Sequence, residues 1–242
     1  MQMAERAAIV TGASSGIGLA TARVLGEEGF AVTMAARRPE KLDAAVAGLA
    51  ADGFDVQAIA ANVADEADIV KVADAHRDRY GRLDVLVNNA GIGFAASVGD
   101  IQTKWLDMQL AINLRSIVLF YRECLPMLKV AGQEHRNALV VNTASIAGKR
   151  GVGGNAVYSA TKHGVVGWTD SMNRELGSLG IKSTALCPGW VDTPMTDFVK
   201  GEVPAGEMIR PEDVAESVRY LLKVTPACIV PEIMFVRPGD VM

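Results

Sequence analysis

The sequence predicts an α/β fold, a doubly wound parallel sheet with helices on both faces, and three observations predict it. Short, continuously apolar β-type runs alternate with helical patterns along the chain. The runs lack the regular polar alternation of a sheet with one wet face, so both faces are expected to be covered. A glycine-rich turn joins the first run to the first helix, the corner where strand–helix–strand units begin.

The elements follow in order. A strand over 7–10 leads through the turn into a helix over 17–28. Strand 31–35, helix 40–51, strand 55–60, helix 67–80 and strand 83–87 repeat the unit. Two long helical patterns, 103–128 and 157–179, bracket a strand at 138–142, and further strands are expected at 181–186 and 232–236. No repeat, low-complexity tract or linker interrupts the pattern, so one domain over 1–242 is expected. Proline, glycine and mixed charge over 193–210 mark a mobile substrate lid between a strand end and a helix start.

Composition agrees. Half of the 242 residues are hydrophobic and 24 are glycine, which suits a large core with many tight turns. The net charge is −4 and the basic residues are dispersed, so a nucleic-acid partner is not expected. Cys124, Cys187 and Cys228 are far apart and odd in number, which argues against disulfides and for a reducing cytoplasm. The first residues lack the features of a secretory signal, and the longest apolar runs fall far below the roughly 20 residues of a membrane span. His76, His135 and His163 lack metal-ligand spacing, and no metal is expected.

The turn Thr11-Gly12-Ala13-Ser14-Ser15-Gly16-Ile17-Gly18 sets a helix start directly after the first strand. Backbone N–H groups and the helix dipole there can receive a pyrophosphate, as in Rossmann-type dinucleotide sites. Gly12 suits the tight turn, Gly16 a close phosphate and Gly18 close helix packing, while Ser14 and Ser15 add hydroxyl donors. No Lys-Ser or Lys-Thr follows, which excludes a Walker A loop. The second strand ends in Ala35-Ala36 and then Arg37-Arg38, with no acid to take a ribose hydroxyl. Arg37, with Arg38 second, is placed to pair with the extra phosphate of NADP; the bland alternative is two solvated charges.

Tyr158 and Lys162 are four apart, so on a helix they share one face. Free tyrosine titrates near about 10, and an adjacent ammonium favours its phenolate. Alone, such a pair is an ordinary helical coincidence. Ser145 changes this, because it follows the strand at 138–142 at the carboxyl edge where open α/β sheets bind ligands. Asn113, a polar residue inside the first long helix, must be satisfied if buried, and can anchor a water chain to Lys162.

Together these residues resemble the classical short-chain dehydrogenases/reductases. Thr11 to Gly18 is similar to that family's T-G-x-x-x-G-x-G, Asn88-Asn89-Ala90-Gly91 to N-N-A-G, Tyr158 with Lys162 to Y-x-x-x-K, and Pro188-Gly189 with Val191 and Thr193 to P-G-x-V-x-T. The resemblance implies an NADP(H)-dependent oxidoreductase that reversibly reduces a small carbonyl substrate, a ketone or aldehyde, with diketone and hydroxy-acid types included. It implies that Ser145 polarises the carbonyl, Tyr158 transfers the proton, Lys162 binds the nicotinamide ribose and tunes Tyr158, and Asn113 supports the relay. Further cofactor contacts are implied at Ile17, at Asn62 and Val63, at Asn89, Ala90 and Gly91 by the adenine-side ribose, and at Pro188, Gly189, Val191 and Thr193.

The chain departs from the family at Asn62-Val63, where Asp-Val is common, and in its ending, which lacks the usual Val-Asp-Gly-Gly. Phe94, Ile146, Val152, Trp190, Met195 and Phe198, with Ser145, are the candidate substrate pocket. A homo-oligomer, dimer or tetramer, is expected; Leu106, Leu110 and Phe120 either face a partner or pack on the sheet. The rival reading from another class is a non-catalytic NADP(H)-binding sensor or scaffold, against which the intact set of four catalytic residues argues.

Overall fold

The computed structural model describes residues 5–199, 203 and 205–240. Seven strands form one parallel sheet: β1 (Ala7–Thr11), β2 (Ala31–Ala36), β3 (Val56–Ala60), β4 (Val85–Asn88), β5 (Ala138–Thr143), β6 (Ile181–Pro188) and β7 (Glu232–Phe235). Their spatial order is β3-β2-β1-β4-β5-β6-β7. Every residue of β1, β2, β4, β5 and β6 is buried, which is why these strands read as continuous apolar runs.

Successive side chains nevertheless part to opposite faces. Ile9, Leu86 and Val140 join one core with α3 (Glu66–Tyr80), α5 (Ser116–His135) and α6 (Ala156–Leu176). Val10, Val87 and Val141 join the other, with α1 (Gly16–Glu27), α2 (Pro39–Ala51) and α7 (Pro211–Lys223). The chain builds outward from β1 to β3, then crosses back to lay β4 against the free side of β1. The connections leaving β1 and β4 thus diverge, opening a crevice at their carboxyl ends.

The first long helix differs from expectation. It breaks into α4 (Thr103–Leu110), a π turn at Ala111–Arg115, and α5, which runs on to His135 instead of ending near 128. In the π turn Ser116 N–H donates to the Ala111 carbonyl, five residues back. One extra residue in one turn barely alters apolar spacing, so periodicity does not reveal it. The second long helix ends at Leu176, with a tight 3-10 turn over Gly177–Leu179. Phe120 is buried in the core, Leu106 is partly buried and Leu110 is exposed.

At the opposite, amino edge of the sheet, the carboxylate of Asp84 ties three elements together. It accepts from Ala7 N–H at 2.8 Å, from Arg82 at 2.7 and 2.9 Å, and from His135 Nε2 at 2.9 Å. Burial pushes its pKa up, but Arg82, the Ala7 N–H and His135 pull it down further, so the net shift is downward. A carboxylate with a depressed folded pKa stabilises the fold above its unfolded value near about 4, and this is lost as pH falls below it. Asp84→Ala is expected to cost about 3 kcal/mol by leaving the buried Ala7 N–H without an acceptor and Arg82 with only Glu134 among the described residues, lowering Tm by roughly 6–12 °C in calorimetry. An unchanged Tm would contradict this role.

Candidate active site

The crevice begins at the turn after β1. Gly12 and Gly16 have φ of +65° and +55°, the left-handed region that glycine adopts without strain. A Cβ on Gly18 would stand 2.4 Å from the Gly12 carbonyl oxygen, so only glycine lets α1 start this close to the turn. Ser15 caps α1 without a side-chain hydrogen bond, and the first turn carries no acid. The free N–H groups and positive dipole end therefore meet no competing protein anion, and they fit a pyrophosphate. Arg37 and Arg38, directly beyond β2, are exposed and have no ion-pair partner among the described residues.

Thr11 and Asn89 hold this turn against β4. Thr11 Oγ1 donates to the Val87 carbonyl and accepts from Asn89 and Ala90 N–H. Asn89 Nδ2 donates to the carbonyls of Thr11 and Gly12 at 3.1 and 3.4 Å, and its Oδ1 accepts from Thr143 Oγ1 at 3.3 Å. The Asn89 amide is thus a staple between β1, β4 and β5. The chain after β6 closes the other side, where a Cβ on Gly16 would stand 2.9 Å from Thr193 Cγ2.

Beyond this turn, four polar groups converge at the carboxyl ends of β4 and β5. Tyr158 and Lys162 lie one turn apart on α6, with Lys162 Nζ 5.6 Å from the Tyr158 ring centroid. Lys162 is 3% exposed and donates to the Thr143 carbonyl at 2.7 Å. Burial lowers its pKa to about 8. Ser145 Oγ lies beside the Tyr158 phenol, donates to the Pro188 carbonyl at 3.4 Å and accepts from Ala147 N–H at 3.1 Å. Burial raises the Tyr158 pKa, and the neighbouring Ser145 hydroxyl offsets part of that rise. This is opposite to the depression expected beside an ammonium, because burial of the phenol outweighs the groups around it.

Asn113 completes the group. Its amide accepts from Ile92 N–H and donates to the Ile92 carbonyl, both at 2.8 Å, and donates to Thr161 Oγ1 at 3.2 Å. Thr161 Oγ1 in turn donates to the Tyr158 carbonyl at 2.7 Å. The π turn aims this amide inward, tying the loop after β4 to the helix that carries Tyr158.

Comparison with known proteins decides the family. The short chain dehydrogenase family model matches residues 6–203. A ketoacyl reductase assigned to the monensin polyketide synthase of Streptomyces virginiae is 38% identical, over 98% of each chain. The 3-oxoacyl-acyl-carrier-protein reductase of Thermotoga maritima is 30% identical over the full length of both. The solved structure of actinorhodin polyketide ketoreductase with NADPH superposes with a TM-score of 0.86 at 35% identity, covering 95% of each chain. The chain belongs to the short-chain dehydrogenase family. It is therefore an oxidoreductase, with the doubly wound sheet that the sequence predicts.

Other expected positions of this short-chain dehydrogenase are distributed around the crevice. Asn62, just past β3, accepts from Ala64 N–H at 3.3 Å in its own turn, while the neighbouring Val63 is buried. Ala90 and Gly91 run beside the turn, and a Cβ on Gly91 would stand 3.6 Å from Lys162 Nζ. Pro188 ends β6, Gly189 N–H donates to the Phe235 carbonyl, and Val191 is buried. Ile146 and Val152 flank Ser145 and Tyr158 in the chain, and Val152 N–H donates to Ser159 Oγ on α6. Trp190 meets Phe198 edge-on at 5.9 Å, and both Phe198 and Met195 are exposed. Of the lid expected over 193–210, residues 200–202 and 204 lie outside the described residues.

Three residues near the centre escape the sequence reading. A Cβ on Gly93 would stand 3.6 Å from the Tyr158 ring, Trp105 stacks on Phe94, and the buried Gln109 bonds the Phe94 backbone. The available signal was Gln109 itself, a polar residue four before Asn113. A separate groove of about 370 Å³ between α1, α2 and α7 contains none of the four converging groups.

Proposed function

We propose that this enzyme is an NADP(H)-dependent carbonyl reductase in which Tyr158 donates the proton and Ser145 and Lys162 prepare the site for it. The observation that carries the reading is the placing of the Ser145 hydroxyl and the Tyr158 phenol side by side at the carboxyl edge of the sheet, with the buried Lys162 ammonium 5.6 Å from the Tyr158 ring. A substrate carbonyl oxygen between them would accept from both hydroxyls, with Ser145 turning away from the Pro188 carbonyl to donate to it. A phenol whose pKa is raised by burial stays protonated at neutral pH, as a donor in the reducing direction must.

The turn from Gly12 to Gly18, with the α1 N-terminus, binds the pyrophosphate, and Arg37, aided by Arg38, pairs with the phosphate that distinguishes NADP(H). When bound, the cofactor supplies the hydride. Lys162 holds the nicotinamide ribose and Asn113 keeps the loop after β4 in place. The relatives' ketoacyl substrates support a ketone as the natural substrate class. A non-catalytic sensor would have no use for Ser145, Tyr158 and Lys162 in this arrangement.

We also place the enzyme in the cytoplasm as a homo-oligomer. No helix among the described residues is long and apolar enough to cross a membrane, and exposed Leu110 on α4 and Met234 on β7 offer apolar contact area.

Tyr158→Phe should leave NADPH affinity nearly unchanged while lowering ketone turnover by about 10²–10⁴-fold, followed by NADPH absorbance. Retention of most activity would sink the mechanism. Arg37→Ala should weaken NADPH by roughly ten- to a hundredfold and NADH far less; equal losses would refute the phosphate role. Because the Lys162 ammonium loses its proton near pH 8, kcat/KM for reduction should decline above that value. A flat profile to pH 10 would contradict the assignment.

A further inference from the structure

Trp105, Gln109 and Asn113 are spaced four apart along α4 and the π turn, and all three meet the loop after β4. Asn113 pairs with both backbone groups of Ile92 at 2.8 Å. Gln109 repeats the pattern on Phe94, accepting from its N–H at 3.2 Å and donating to its carbonyl at 3.5 Å. Trp105 stacks on the Phe94 ring, with centroids 4.1 Å apart.

The spacings match. Two residues of extended chain advance about 6.6 Å, and their backbone groups point to the same side. Four helical residues advance about 6 Å. Two side-chain amides on successive helical turns thus serve a lone extended segment as a neighbouring strand would. Gly93, between the two rungs, turns the other way, towards the Tyr158 ring. Gln109 is 2% exposed, and both ends of its amide bond the Phe94 backbone. This satisfies the demand that a buried amide be hydrogen-bonded.

We propose that Gln109 is a positioning residue for carbonyl reduction: its paired bonds to Phe94 hold the segment from Ile92 to Phe94 as a rigid wall opposite Tyr158, and so set which face of a ketone meets the hydride. This rests on the reading of Tyr158 as the proton donor. Gln109 touches no reacting group and acts only through Gly93 and Phe94. Its loss therefore alters substrate fit more than chemistry.

The test compares Gln109→Leu with the wild-type chain in two measurements. Amide hydrogen exchange in the cofactor-free protein should show the Phe94 N–H exchanging about tenfold faster, with Ile92, held by Asn113, little changed. With a prochiral ketone, KM should rise about tenfold and the enantiomeric excess of the alcohol should fall, while kcat changes less than about threefold. Gln109→Glu keeps an acceptor for the Phe94 N–H and should recover part of both effects. Should Gln109→Leu not fold, Gln109→Asn, a methylene too short to reach Phe94, carries the same expectation. Wild-type KM and product chirality in a folded variant would overturn the proposal, whether or not exchange at Phe94 changes. A wild-type chain inert toward every ketone would instead refute the function on which it rests.

Discussion

The crevice depends on the junction of β1 with β4, where the Thr11 hydroxyl and the Asn89 amide fasten two strands whose outgoing connections diverge. Each strand end needs partners for backbone groups that the sheet ladder no longer reaches, and these two side chains supply them. The phosphate turn is thereby fixed relative to β4. The loop after β4 is fixed in turn by Asn113, and Asn113 reaches Thr161, one turn beyond Tyr158. Cofactor turn and proton donor are thus connected through hydrogen bonds rather than through loop stiffness.

The same logic extends into the core beneath the site. Asn88 Nδ2 donates to Asn142 Oδ1 between paired residues of β4 and β5, and Asn142 Nδ2 donates to Tyr121 on α5 and Thr169 on α6. Tyr121 in turn donates to Ser183 on β6. Such a buried network is costly where an atom lacks a partner, as Asn88 Oδ1 does among the described residues, and its directional bonds leave few alternative packings. It fixes the register of the strands that deliver Ser145 and the helix that delivers Tyr158. The electrostatics of the centre are then a contest with burial, which pushes the Tyr158 phenol up and the Lys162 ammonium down, shifting each toward its neutral form while Lys162, at about 8, stays mainly charged at neutral pH.

The parallel sheet was legible because burial on both faces writes an unbroken apolar run into each strand, as at 138–142 and 181–186. The phosphate turn was legible because only glycine fits Gly12, Gly16 and Gly18 as the chain runs there. Less readable were the interruption of the long helix at Asn113 and the direction of the Tyr158 shift. The first is one residue in a period of nearly four; the second depends on how deeply packing buries the phenol.

Sequence alone determined the fold class, the family and the identity of the converging polar residues, because each depends on local pattern: period, glycine placement and the spacing of Tyr158 to Lys162. Tertiary structure decided what the amides do. Asn89 is a staple across three strands, Asn113 and Gln109 are rungs beneath a lone extended segment, and Asn142 is the hub of a buried network. An amide side chain both donates and accepts, so its type says only that partners are needed. Which backbone groups lack partners is settled when elements distant in sequence pack together.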